Sequence, residues 1–127
     1  MVPAPGPTGN ELIEVSRSFS LLCQPMFIMT TDPGDGGMGP VMANMESHLA
    51  YWAEMERKKV MFAAGPVMPA DSADPWSGQG MVIFRAPSLS AARAIAAADP
   101  MHGAGAREYD LRPWLLNHLI PDGAPGA

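Results

Sequence analysis

Residues 41 to 59 constrain the fold more than any other stretch of this chain. Val41, Met45, His48, Trp52 and Met55 fall on one helical stripe, while Glu46, Ser47, Glu54, Arg57 and Lys58 lie away from it. A helix that is apolar along one side needs a surface to lie on. The neighbouring segments supply it. "QPMFIMTT" (24–31) is short, apolar and closed by the turn cluster "DPGDGGMGP", so it reads as a strand. "VMFAAGPVM" (60–68) and "GMVIFRA" (80–86), joined by the loop "PADSADPWSGQ", read as two more. Ser88 is a natural N-cap for "LSAARAIAAA" (89–98), a second helix of strong helix formers, and Pro100 ends it at Asp99. "AREYDLRPWLL" (106–116) alternates as a fourth strand, with Pro113 favouring an edge position. The order βαββαβ is the ferredoxin-like split arrangement of an α+β fold. Two helices cover one face of a four-stranded sheet, so a homodimer that pairs the other faces is expected.

The ends are different in kind. "MVPAPGPTG" and "PDGAPGA" carry Pro and Gly and little to bury. Thr8 and Glu11 match a capping box, and Leu12, Val15, Phe19 and Leu22 recur at helical spacing, although "EVSRSFSLL" also suits a strand. The expected organisation is a partly flexible extension over 1–23, a ferredoxin-like domain over 24–120 and a flexible tail over 121–127.

Bulk properties exclude several classes. With 127 residues, 47% of them hydrophobic, one domain is expected, small enough for self-association to help it. Eight basic residues against 13 acidic ones, scattered along the chain, give no footprint for nucleic acid. No apolar run reaches the roughly 20 residues of a bilayer span, and the N-terminus has no signal-peptide pattern, so a cytoplasmic protein without membrane partners is expected. The single Cys23 has no identifiable activating neighbour and reads as structural.

Asp99 poses the chemical question. The last turn of a helix carries roughly half a negative elementary charge, and an acid there is either solvated or paired with a cation. His48 lies at the centre of the apolar stripe and points inward. Two readings of it compete: a core histidine satisfied by a carbonyl, and a general acid/base oriented by Asp99 with its other nitrogen free for substrate. Met45 and Trp52, one turn to either side, serve as ordinary core in the first reading and as a partly apolar substrate wall in the second.

His102, three residues after Asp99 in a glycine-flanked loop, is either solvated or a substrate contact. Arg85, Arg107 and Arg112 are candidates for anion binding, with surface ion pairs the simpler reading; Arg112 is retained as a substrate-binding candidate. His118 is expected to be exposed. His48, Asp99 and His102 lack tight metal-ligand spacing, so no metal is assigned. "DPGDGGMG" lacks the Lys-Ser/Thr ending of a phosphate loop, and no cofactor is expected.

Over roughly residues 25–120 the chain resembles the YCII-related family, on "MFIMTTD", "HLAYWAEME", "FAAGPV" and above all "AIAAADPMHGAGAREYDLRPWLLN". The resemblance implies a dimeric α+β barrel and a histidine and aspartate pair matching His48 and Asp99. Some members act as dehydrochlorinases on chlorinated hydroxyhydroquinones through that pair. An arginine is common in the family one turn before the helical histidine, where Asn44 stands here.

The leading expectation is a cofactor-independent lyase or isomerase that moves a proton on a hydroxylated aromatic, dienone or lactone, dehydrohalogenation included. A non-catalytic module that binds a small ligand or a protein is the competing one, and a cofactor-free monooxygenase of the related barrels a third.

Overall fold

The computed structural model describes residues 2–120. The expected tail over 121–127 lies outside them. Nine elements follow in order: α1 (Gly9–Ser18), β1 (Gln24–Pro33), α2 (Met38–Ala43), α3 (Met45–Arg57), β2 (Met61–Pro66), β3 (Gly80–Phe84), α4 (Leu89–Ala97), α5 (Pro100–Gly103) and β4 (Arg107–Leu116). The strands form one antiparallel sheet in the order β2-β3-β1-β4, so the fold is ferredoxin-like α+β. β4 takes an edge, where Pro113 removes no donor that a central strand would need.

Two compact units are present. One runs Met26–Pro113; the other joins the chain through Pro25 to the chain from Trp114. In the latter unit α1 starts at the Thr8 capping box: the Glu11 amide donates to Thr8 Oγ1 at 3.1 Å. This helix rules out the strand alternative for "EVSRSFSLL". It stops at Ser18, earlier than the apolar spacing suggests, because Ser20 and Cys23 adopt positive φ. Asn117 holds the unit together, with Nδ2 donating to Ser16 Oγ at 3.0 Å and its backbone carbonyl accepting from the Leu22 amide at 3.2 Å.

In the larger unit, register decides which side chains face the helices. Phe27 sits opposite Phe84 and Met29 opposite Val82, all four buried, while Ile28 and Ile83 pair on the other face. β2 joins β3 with Met61 opposite Phe84 and Ala64 opposite Val82; a bulge between Met61 and Ala63 keeps both on the helical side. Trp52, Ala92 and Ala96 complete this core, with the Trp52 and Phe84 rings 5.7 Å apart. Ala92 and Ala96 are fully buried, and their small side chains let α4 press close to the sheet. Ser88 caps α4 through the Ala91 amide at 3.1 Å, as expected.

Two expectations need correction. The stretch 41–59 is not one helix: it breaks at Asn44 (φ −106°, ψ 6°), whose Nδ2 donates to the Pro40 carbonyl at 2.8 Å. Val41 therefore belongs to α2 and packs with Met101 and Ala106 in a second small core. The segment after Asp99 is not a loop but the helical turn α5. Among the described residues no helix is long and apolar enough to cross a membrane.

Candidate active site

Asp99 is placed by the proline that follows it. Pro100 holds Asp99 extended (φ −61°, ψ 124°), which ends α4 and makes Asp99 the N-cap of α5. The helix-terminus conflict posed by the sequence thus resolves: the acid faces the start of the next helical turn. Oδ1 accepts from the Met101 amide at 2.9 Å. Oδ2 accepts from His48 Nδ1 and from Trp52 Nε1, each at 2.8 Å. The carboxylate is fully buried. Burial pushes its pKa up, but the His48, Trp52 and Met101 donors outweigh burial and hold it below the usual carboxylate range. Asp99 is therefore an anion at neutral pH.

His48 and Trp52 reach the same oxygen because they stand four residues apart on α3, on one face. An ionised Asp99 accepts only, so the proton at this contact resides on His48 Nδ1. Nε2 has no protein partner among the described residues. The His48 side chain keeps 14% of its surface open, and that surface belongs to a cavity of about 530 Å³. Met45, Leu49 and Trp52 of α3 form one wall with His48; Ala64, Val82 and the 67–79 loop, through Met68 and Trp76, form others. Tyr51 donates to the Ile95 carbonyl at 2.6 Å and ties α3 to α4. Its phenol pKa is raised by burial and by the negative charge of Asp99.

The structure brings His48, Met45 and Trp52 together at this cavity, with Asp99 buried outside the lining and bonded to His48 and Trp52. His102 is not in the cavity wall. Its Nδ1 bonds the Ala96 carbonyl at 2.6 Å, its Nε2 contacts Thr31 Oγ1 at 3.2 Å, and its ring lies 4.4 Å from that of Tyr109. Burial lowers the His102 pKa despite the Ala96 carbonyl, so the ring is neutral: Nδ1 donates and Nε2 accepts from the Thr31 hydroxyl. Arg112 is exposed on β4, ion-paired with Asp110 at 2.9 Å, and does not line the cavity. Arg85 lies over the Phe62 ring at 5.4 Å, and Cys23 Sγ is 3.8 Å from the Ile13 carbonyl. His118 is exposed. No group of three or more His, Cys, Asp or Glu among the described residues is placed to hold a metal ion.

Arg107 is the cavity residue that sequence reasoning did not separate from the other arginines. Its parity on β4 was the available signal: Arg107, Tyr109 and Leu111 alternate on one face, and Leu111 packs against the core. Arg112 has the opposite parity.

The YCII-related domain family matches residues 26–115. No curated protein matches the chain. Among solved structures, the 5-chloro-2-hydroxyhydroquinone dehydrochlorinase from Burkholderia phenoliruptrix AC1100, in complex with 2,5-dihydroxybenzoquinone, shares the fold. It has a TM-score of 0.60 and 20% sequence identity, over 70% of this chain and 92% of that one.

Proposed function

The chain belongs to the YCII-related family, and from that premise we propose that it is a lyase or isomerase in which His48, oriented by Asp99, moves a proton on a small hydroxylated aromatic, dienone or lactone. The observation that carries this reading is the 2.8 Å bond from His48 Nδ1 to a buried, ionised carboxylate, made by a ring that lines a cavity of substrate size. A fold likeness to a dehydrochlorinase is consistent with it.

Asp99 keeps the proton on Nδ1, so Nε2 offers its lone pair to the cavity. Nε2 takes a proton from a substrate hydroxyl or an acidic carbon. The resulting imidazolium is stabilised by the Asp99 charge, and its Nε2 proton is then available to another carbon, which completes an isomerisation. On a halogenated ring, proton removal is matched by departure of halide with its bonding pair, and the net change is loss of hydrogen halide to give a quinone-type product. The apolar wall keeps water from the charged pair and strengthens the interaction between them. We also propose a homodimer formed through the sheet face that carries Ile28 and Ile83.

Incubating the full chain with a chlorinated hydroxyhydroquinone, an unsaturated lactone and a dienone in deuterated water tests the reading. Halide release, or deuterium entering carbon, is expected from wild type and not from His48→Gln. Equal behaviour of the two proteins, or none in either, would favour the non-catalytic ligand-binding module.

A further inference from the structure

The acid/base reading leaves Arg107, which lines the cavity, without a role. Arg107 opens β4 and is 5% exposed, yet among the described residues no side chain or carbonyl hydrogen-bonds its guanidinium; Nε is buried and without a partner. Asp99 and Asp32 act on it through space only: Asp32 is exposed on β1, and the Asp99 oxygens are occupied by His48, Trp52 and Met101. A guanidinium that lines a cavity with its Nε buried and without an acceptor is unfavourable unless a ligand supplies one.

The surroundings favour one kind of acceptor. Arg107 Cζ lies 5.7 Å from the centre of the Trp76 ring, and both residues line the His48 cavity. Gly80 lets the guanidinium lie close against β3, since a Cβ there would stand 3.2 Å from Nη1. A planar guanidinium fork matches a carboxylate through two parallel bonds. Asp74, also in the cavity wall, contributes a negative charge, so the site suits a monoanion rather than a phosphate dianion. The remaining wall is largely apolar, and about 530 Å³ accommodates a compound of one ring.

We propose that Arg107 is the anion anchor of this cavity and that its ligand is a small planar carboxylic acid, bound through the carboxylate with its ring beside Met45 and Leu49. The inference rests on the acid/base reading for one point, that a ring held in this way is presented to His48.

Titrating the full chain with benzoate and with its uncharged isostere benzamide, followed by the indole N–H signals of Trp52 and Trp76, tests the anchor. Wild type should prefer benzoate by at least about tenfold, as expected for a charge-assisted bond in a buried site. Arg107→Met should erase the preference, and Arg107→Lys should keep part of it. Should Arg107→Met fail to fold, Gly80→Ala replaces it: the added methyl crowds the guanidinium and should weaken benzoate more than benzamide. Equal affinity for the two probes in wild type, binding of neither, or a preference that survives Arg107→Met would overturn the proposal. A wild type that prefers benzoate yet exchanges no proton with any substrate class would instead remove the acid/base reading and leave the anchor standing.

Discussion

Trp52 and His48, one turn apart on α3, both donate to the same oxygen of Asp99 at 2.8 Å. A core tryptophan thereby shares its acceptor with the residue proposed to do the chemistry. Packing and the proposed chemistry meet in one atom, and the first two predictions separate them.

His48→Gln should lower turnover on any substrate found by roughly 10²- to 10⁴-fold, the contribution of a positioned acid/base. Stability should change little by comparison, since an amide still reaches toward Asp99 and the site is partly open. Steady-state kinetics alongside urea denaturation at pH 7 checks both halves.

Trp52→Phe should keep most of the ring packing against Phe84 while deleting one donor to a charged carboxylate. A loss of about 1.5–3 kcal/mol in unfolding free energy is expected. The Asp99 pKa should rise at the same time, because one of the bonds holding it low is gone. Carboxyl carbon NMR across an acid titration reads the second effect.

The half-buried His102 and the buried Asp99 give acid sensitivity in different windows. His102 has a lowered pKa in the folded chain, so unfolding favours its protonation. Its contribution is complete above the unfolded value of about 6.5 and is lost as pH falls from there toward the folded value. Asp99 is also lowered, so its contribution is complete above the unfolded value of about 3.9 and is lost as pH falls through the folded value. His102→Gln should be less stable than wild type at pH 7, for want of the Ala96 bond, yet should lose less stability between about pH 6.5 and 5. Urea midpoints at a series of pH values decide this.

The proposed dimer should be visible by sedimentation equilibrium, and Ile28→Lys, which puts a charge on the sheet face away from the helices, should shift it to monomer. A wild type that sediments as monomer at all concentrations would remove the dimer while leaving the site intact.

Local signals in the sequence were reliable where one residue type has one physical use. Ser88 as a cap, the Thr8 and Glu11 box, Pro100 as a helix stop and Pro113 at a sheet edge were all legible for that reason. The break at Asn44 was not, because Met45, His48 and Trp52 continue the spacing begun at Val41 and only a side-chain bond to Pro40 interrupts the helix. The turn α5 was missed because four residues are too few to show a period. Contact between His48 and Asp99 was an open alternative in the sequence, since it depends on how two distant helices pack. Nothing in the sequence marks Trp52 as a partner of Asp99, since the stripe shows it only as apolar. Arg107 was hidden among three arginines until β4 fixed its parity.

The three bonds to Asp99 also restrict how this cavity can change over time. Replacing the acid would unsettle the start of α5, the Trp52 indole and the His48 ring together, so a descendant with a new ligand has little freedom there. The 67–79 stretch forms a wall of the same cavity and lies in the connection between β2 and β3, where insertions and substitutions are tolerated. Descendants that keep the His48 and Asp99 pair and diverge in that connection are the variation this arrangement permits.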